Sequence, residues 1–256
     1  MTAPAAPPRR SALRAVRAFG RNDLAGVRRD SMLLFLMVAP FTYVAIPRYA
    51  LPPLTGLLRD RYAFDLAPYH DLVVSMFIIA GEPMLLGALA GLLLLDEKDT
   101  GTLHALRVTP VPMVTFAAYR VATVVGVSFA YVVIGMALSG LMPAHAVPGM
   151  LGASLCAGLV AALVAVVMAL VAGNKVEGLA VVRAIGLVIA GVPILPYFLP
   201  APWDLLFGVL PSYWPVKVYW LSAEGAAFWP YLLAGLACNA ALLLFLLRLY
   251  GRRRFG

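Results

Sequence analysis

Six long apolar segments constrain the fold of this chain more than any other feature. A helix of about 20 apolar residues spans the roughly 30 Å of hydrocarbon in a bilayer. We place six such spans at about 31–47, 72–95, 113–141, 148–172, 178–199 and 227–247. Hydrophobic residues make up 62% of the chain and charged residues only 12%, which is typical of a membrane protein. The sequence therefore predicts an all-α integral membrane protein with six transmembrane helices.

Basic residues are distributed unequally between the two sides that six alternating spans define. Arg48, Arg59, Arg61 and Lys217 fall on one side, and the other 16 of the 20 Lys and Arg residues fall on the opposite side. The positive-inside rule then places both termini in the cytoplasm. We interpret the net charge of +8 as orientation and contact with anionic lipid, and not as nucleic-acid binding.

The basic N-terminal region before the first span divides into two parts. Residues 1–8 are rich in Pro and Ala and are predicted to be a disordered tail. Residues 9–29 predict an amphipathic interfacial helix at the cytoplasmic headgroups, because an arginine stripe lies beside an apolar face. Calmodulin-type binding is the alternative use of that pattern. Residues 30–256 form a single six-span domain, since the loops are too short to hold a soluble one.

Two segments on the non-cytoplasmic side carry no catalytic pattern. Residues 47–71 predict a loop that lies on the membrane. Residues 196–226 combine closely spaced prolines with six aromatic residues of the kind that prefers the interface: Tyr197, Trp203, Tyr213, Trp214, Tyr219 and Trp220. The pieces between the prolines are too short to cross a bilayer, so we expect one or two short re-entrant helices. Interfacial anchoring and a gating or substrate role are equally open for them.

Enzymatic motifs are missing from the sequence. Gly-x-Ser-x-Gly, His-Glu-x-x-His, Cys-x-x-Cys and the Walker A pattern are all absent, so we predict no catalytic residues and no nucleotide hydrolysis. The two cysteines, Cys156 and Cys238, both fall inside spans, where we interpret them as small packing residues. No metal site is predicted.

Glu82 is an acid deep inside the second span. An intramembrane carboxylate is costly, so it should face protein or water and not lipid. Pro83 follows it and favours a break in the helix at that depth. One hypothesis is a contact for a cationic or zwitterionic substrate, or a protonation switch. The other is a structural glutamate that fixes the contacts between spans.

Three further features concern the packing of the spans. Arg120 and Arg183 lie several residues inside predicted spans, close enough to the cytoplasmic end for their side chains to reach the headgroups. A role in ion passage is the alternative for both. Gly87 and Gly91 have the Gly-x-x-x-Gly spacing that permits close approach of two helices.

The stretch LLLLDEKDTGTLHALRVTPVP joins the second and third spans on the cytoplasmic side. Thr100 or Thr102 can cap a short helix, in which Leu103 and Leu106 share one face before two prolines end it. A small apolar face flanked by charges gains little as a free loop. It suits a helix that docks in a groove of another protein.

The sequence DEKDTGTLHALRVTP within this stretch resembles the Glu-(basic)-(acidic)-x-Gly-Thr-Leu-x-x-Leu-x-x-(Ser/Thr)-Pro segment of permease subunits in type-2 ABC exporters. In that family the segment is the coupling helix, which docks on a separately encoded ATPase. The resemblance assigns ATPase coupling, within residues 96–112, to Glu97, Gly101, Thr102, Leu103, His104, Leu106, Arg107 and Pro110. His104 departs from the pattern, because the family often has an acid at that place.

The resemblance extends over the whole chain, and NKVEGLAVVRAIG and PYFLPAPWDLLFGVLPSYWPVKVYW are most similar to bacterial multidrug permeases, including fluoroquinolone exporters. It implies a permease subunit that exports an amphipathic drug-like or lipid-like compound across the bacterial plasma (inner) membrane. It implies two copies of a P-loop ATPase, which bind the ATP and Mg²⁺, and a second permease subunit in a homo- or heterodimer. No cofactor is expected in this chain. The alternatives are a proton-coupled secondary transporter using Glu82, and a membrane assembly protein without transport activity.

Overall fold

The computed structural model describes residues 20, 21, 25, 28–99 and 113–255, and this part of the chain is helical with no strand. The main helices are α1 (Ser31–Tyr62), α2 (Ala67–Asp99), α3 (Met113–Ser139), α4 (Ala144–Val171), α5 (Lys175–Phe198), α6 (Tyr213–Ala223) and α7 (Trp229–Phe255). All except α6 are long and apolar enough to cross a membrane, which confirms the six predicted spans. Most of the predicted interfacial helix at 9–29, and residues 100–112, lie outside the described residues.

Helix α1 is much longer than the predicted first span. It continues to Tyr62 and contains Pro40, Pro47, Pro52 and Pro53, so the prediction of a loop over residues 47–71 is wrong. Each proline removes one backbone hydrogen bond, but a helix still satisfies the remaining backbone groups better than a loop does in an apolar environment. Only residues 63–66 separate α1 from α2.

Helix α4 is the centre of the bundle and packs against α2, α3, α6 and α7. Small residues allow this close packing. A Cβ atom placed on Gly87 would lie 2.5 Å from the backbone oxygen of Ala161, and one on Gly91 would lie 2.6 Å from Sδ of Met168. The predicted close approach at these two glycines is therefore confirmed, and α4 is the partner of α2 there.

Gly87→Ala should consequently destabilise the bundle by about 1–3 kcal/mol, because the atom it meets belongs to rigid backbone. Gly126→Ala is a suitable control, since a Cβ atom on Gly126 has no neighbour within 4 Å. The midpoint of thermal unfolding in detergent measures both. Equal midpoints for the two variants would contradict the tight α2–α4 contact.

A π-helix interrupts α2 at Ser75–Gly81, directly before Glu82 and Pro83. The regular α-helix resumes at Glu82, whose N–H donates to the Ile78 carbonyl oxygen. Pro83 has no N–H to donate, and the wider π turn accommodates its ring. The predicted break at this depth is thus a local widening of a helix that continues to Asp99.

Helices α2 and α3 lie antiparallel in a register that two contacts define. Glu82 lies against Gly135, and Glu97 pairs with Arg120. The same interval of 15 residues separates the two positions on each helix. One helix face of α3 therefore contacts both the buried acid and the charged end of α2.

The segment between α5 and α7 folds into short helical pieces. A 3-10 helix at Trp203–Val209 leads to α6, which is buried along most of its length. Of the six aromatic residues for which anchoring and a gating or substrate role were both open, Tyr213, Trp214, Tyr219 and Trp220 are buried in the protein, while Trp203 is exposed. Simple interfacial anchoring is therefore wrong for these four, because α6 packs its rings against the membrane helices. The re-entrant path through the bilayer stays a prediction.

Candidate functional site

One end of the bundle carries a group of charged side chains, which we call the charged cluster: Asp30, Asp96, Glu97, Lys98, Arg120 and Lys175. Nζ of Lys175 lies 3.1 Å from Oδ2 of Asp30 and 2.8 Å from Oδ1 of Asp96. Oδ1 of Asp30 also accepts a hydrogen bond from the N–H of Leu33, at 3.4 Å, and so caps α1. A single ammonium group thus joins the start of α1, the end of α2 and the start of α5.

The start of α5 is fixed by a capping box that positions Lys175. The side chain of Asn174 accepts a hydrogen bond from the N–H of Glu177 at 3.0 Å. In return, Oε2 of Glu177 accepts from the N–H of Gly173 at 2.6 Å. These reciprocal bonds satisfy backbone groups that would otherwise be unpaired at the helix start.

Arg120 and Glu97 form the buried part of the charged cluster. The guanidinium of Arg120 donates to Oε1 of Glu97, and the two side chains are only 7% and 13% exposed. The prediction that Arg120 extends toward the headgroups is wrong, because a carboxylate on α2 faces it inside the bundle. Arg183, in contrast, is exposed on α5, and its contact with headgroups stays a prediction.

Lys98 completes the charged cluster by donating to the carbonyl oxygen of Ala172, at 3.3 Å. That carbonyl lies at the end of α4. Side chains in the last turn of α2 therefore contact α3, the end of α4 and the start of α5. Lys175 extends the cluster to Asp30 at the start of α1. The last turn of α2 directly precedes residues 100–112 in the sequence. Glu97 is the only predicted coupling residue that lies within the described residues; Gly101, Thr102, Leu103, His104, Leu106, Arg107 and Pro110 lie outside them.

Glu82 lies where α1, α2 and α3 meet. Its residue is 1% exposed. A Cβ atom on Gly135 would lie 2.6 Å from Oε1 of Glu82, 3.0 Å from Ile78 and 3.1 Å from Val44. Oε2 of Glu82 has no hydrogen-bond partner within the described residues. The acid is therefore held against a glycine of α3 by packing.

The opposite end of the bundle, which we call the aromatic end, is joined by hydrogen bonds from α5 and α6 to the start of α2. The hydroxyl of Tyr219 donates to Oδ1 of Asp71 at 2.8 Å, and Nε1 of Trp220 donates to Oγ of Ser75 at 2.7 Å. The hydroxyl of Tyr197 donates to the carbonyl oxygen of Pro68 at 2.9 Å. Burial raises the pKa of Tyr219, and the neighbouring Asp71 charge acts in the same direction, so Tyr219 remains a donor.

A buried ion pair lies beside these bonds, between the 3-10 helix and α6. Oδ2 of Asp204 lies 2.7 Å from Nζ of Lys217 and accepts from the hydroxyl of Tyr213 at 3.1 Å. Burial alone would raise the pKa of Asp204, but the hydrogen bond and charge of Lys217 outweigh it, and the net pKa lies below its ordinary value. Asp204 is therefore a carboxylate at neutral pH.

Asp204→Asn should lower the free energy of unfolding at pH 7 by about 3–5 kcal/mol, because it leaves the largely buried Lys217 without its partner. A carboxylate with a lowered folded-state pKa stabilises above its unfolded pKa of about 3.9, and that contribution is lost as the pH falls through the folded value. The difference between wild type and variant should hence shrink below about pH 4. Unfolding midpoints at pH 7 and below pH 4 measure it.

Asp65→Asn is the matched control for this pair. Asp65 pairs with Arg59 at 3.1 Å, but both side chains are more than half exposed. An exposed pair contributes about 0–1 kcal/mol. A loss at Asp204 no larger than the loss at Asp65 would contradict the structural role of the buried pair.

These features define a multi-pass α-helical membrane protein with a charged end, an aromatic end and an acid buried between three of its spans. The chain belongs to the family described as "Fluoroquinolones export permease protein Rv2686c-like", whose sequence model matches residues 23–247. It is therefore a membrane permease of an export family. This confirms the resemblance to fluoroquinolone export permeases found in its sequence.

Two Mycobacterium tuberculosis proteins are similar to nearly the whole chain. "Fluoroquinolones export permease protein Rv2686c" of strain ATCC 25618 / H37Rv is 43% identical over 235 residues, which cover 92% of this chain and 93% of that protein. "Fluoroquinolones export permease protein MT2760" of strain CDC 1551 / Oshkosh has the same identity and coverage. No solved structure matches the chain.

Proposed function

We propose that this chain is the membrane-spanning permease subunit of an ATP-driven ABC exporter that moves an amphipathic, drug-like compound out of the cytoplasm. A separately encoded P-loop ATPase supplies the energy and binds the ATP and Mg²⁺. The charged cluster is the main support for this proposal. It joins five membrane helices at the turn of α2 that directly precedes residues 100–112. The chain also belongs to a family of export permeases. Fluoroquinolones are the first compounds to test, since the relatives are named for their export.

The proposed orientation has the charged end and both termini in the cytoplasm of a bacterial cell. The excess of Lys and Arg on that side supports it. Residues 96–112 then face the ATPase, with the docking contacts made by Gly101, Thr102, Leu103, His104, Leu106, Arg107 and Pro110. Glu97 does not contact the ATPase in this proposal; it links α2 to α3, because its side chain accepts a hydrogen bond from Arg120.

In this proposal, the charged cluster mechanically couples residues 96–112 to the membrane-spanning helices. Lys175 couples the end of α2 to α1 and α5, Arg120 couples it to α3, and Lys98 couples it to the end of α4. Ion pairs between helix ends have discrete arrangements, so a displaced α2 favours a new arrangement of its partners. Nucleotide-dependent docking would thereby shift the bundle between two states of different substrate affinity.

The proposed assembly contains two permease subunits and two copies of the ATPase. Each chain has one docking segment, and closed two-fold symmetry is the commonest way to pair such units. The second permease subunit is either a second copy of this chain or a homologue. Cross-linking of single-cysteine variants in native membranes distinguishes the two, since only a homodimer yields a cross-linked product when this chain is expressed as the sole permease.

Purification of the tagged chain together with the products of adjacent reading frames tests the ATPase partner. We expect a P-loop ATPase to co-purify in a one-to-one ratio and to hydrolyse ATP in a vanadate-sensitive manner. A membrane assembly protein would instead co-purify with its client and show no stimulated ATP hydrolysis. Export that continues without any ATPase would favour the proton-coupled alternative at Glu82.

A further inference from the structure

Glu82 is unexplained by the contacts at either end of the bundle. It lies 15 residues before Glu97, about 22 Å along α2 at 1.5 Å per residue, and 11 residues after Asp71, well inside the apolar part of the helix. Burial of a carboxyl group there costs several kcal/mol unless a partner compensates it. Among the described residues Oε2 of Glu82 has no such partner. A glutamate that merely joins helices would donate to or accept from the facing helix.

Aromatic side chains on α1 and α3 lie close to the residues that adjoin the acid. A Cβ atom on Gly81 would lie 2.7 Å from the ring of Tyr43, and that ring is in an edge-to-face contact with Phe77 at 5.7 Å. Tyr131 lies one turn from Gly135 on α3, and its ring is 5.5 Å from that of Phe41. Carboxylates and aromatic faces are the two groups that recognise organic ammonium ions.

The same aromatic side chains are partly exposed at the surface of the subunit. Tyr43 and Tyr131 are half-buried, and Phe41 is 47% exposed. An amphipathic molecule dissolved in the bilayer can therefore reach the rings of α1 and α3 before it reaches the carboxyl group. Access to the carboxyl group itself requires α3 to separate from α2 at Gly135, which has no side chain to obstruct it.

We propose that Glu82 binds the basic amine of the exported compound, with the carboxylate pairing with the ammonium group and Tyr43 and Tyr131 contacting the rest of the molecule. This rests on the proposed function and names its substrate class, amphipathic amines. Oε2 of Glu82 has no partner among the described residues, so the ammonium group of a bound ligand would supply a counter-charge and offset the desolvation of the acid. The separation of α2 and α3 links binding to the Glu97–Arg120 pair, which lies on the same two helices.

Two compounds that differ only at the amine test this proposal. One is a fluoroquinolone with a free piperazine amine, and the other is its N-acetylated derivative, which lacks the basic nitrogen. ATP-dependent uptake of each into inside-out vesicles gives KM and the maximal rate. In Glu82→Gln, we expect KM for the amine to rise about tenfold or more, as expected for one lost ion pair of about 1.4 kcal/mol, with KM for the acetylated compound unchanged.

Equal changes in KM for both compounds, or no change for either, would overturn the proposal while leaving ATP-driven export intact. Wild-type uptake that needs no ATP would instead overturn the proposed function. If Glu82→Gln does not accumulate in the membrane, Glu82→Asp replaces it. That variant keeps the charge, but its side chain is one methylene shorter, so the carboxylate lies further from the ammonium group. The ratio of KM for the amine to KM for the acetylated compound should therefore still rise. An unchanged ratio would contradict the proposal.

Discussion

Arg120→Met is expected to lower the free energy of unfolding by about 3–5 kcal/mol, because it leaves the buried Glu97 carboxylate without its principal partner. The side chain of Glu97 is only 13% exposed, so water compensates it poorly. The loss is measurable as a lower midpoint of thermal unfolding of the purified chain in detergent. We expect export to fall as well, since the α2–α3 link is broken.

Two variants serve as controls for this prediction. Glu97→Met/Arg120→Met removes both charges and should recover most of the stability, because a buried pair replaced by apolar side chains is often neutral. Arg59→Met breaks the exposed pair with Asp65 and should cost less than about 1 kcal/mol. A double variant no more stable than Arg120→Met alone would show that the ion pair is not the cause.

Leu103→Asp is expected to reduce ATP-driven export at least tenfold while leaving insertion and thermal stability unchanged. A carboxylate on the apolar face of the proposed docking helix must be desolvated against the ATPase, which weakens docking by several kcal/mol. Co-purification of the ATPase and vanadate-sensitive uptake into inside-out vesicles measure the effect.

His104→Glu is the matched control for Leu103→Asp. It introduces a charge one residue away, where type-2 ABC permeases often have an acid, so docking should be kept. Loss of export in both variants together with loss of the protein from the membrane would indicate misfolding. Normal ATPase co-purification with Leu103→Asp would contradict the docking role of residues 96–112.

The six spans could be predicted because apolar length is a property of each segment by itself. The end of α1 could not, since the rule that proline ends a helix holds where water can satisfy a free backbone. Pro47, Pro52 and Pro53 lie inside α1 nonetheless. The start of α5 at Lys175 had a readable signal in the capping box of Asn174 and Glu177, three residues before the predicted span.

The pairings of the charged cluster were beyond prediction from one sequence. Asp30 and Lys175 are 145 residues apart, and Glu97 and Arg120 belong to different spans. Hydropathy gives the depth of Arg120 but not the direction in which it faces, and that depends on the register of α2 against α3. The burial of α6 was not predictable either, because its aromatic residues are equally suited to a membrane interface and to a protein core.

Glu82 was predictable as a buried acid, but the lack of a hydrogen-bond partner for its Oε2 among the described residues was not. Its depth follows from its position in an apolar run, whereas its surroundings depend on Gly135 and Val44, which come from two other helices.

Uptake of a fluoroquinolone into inside-out vesicles that contain this chain and its ATPase tests most directly whether the chain is the permease of an ATP-driven exporter. We expect uptake that requires ATP, stops with vanadate and continues when an ionophore collapses the proton gradient. Uptake that vanadate leaves unchanged and the ionophore abolishes would contradict it, and would indicate proton-coupled transport.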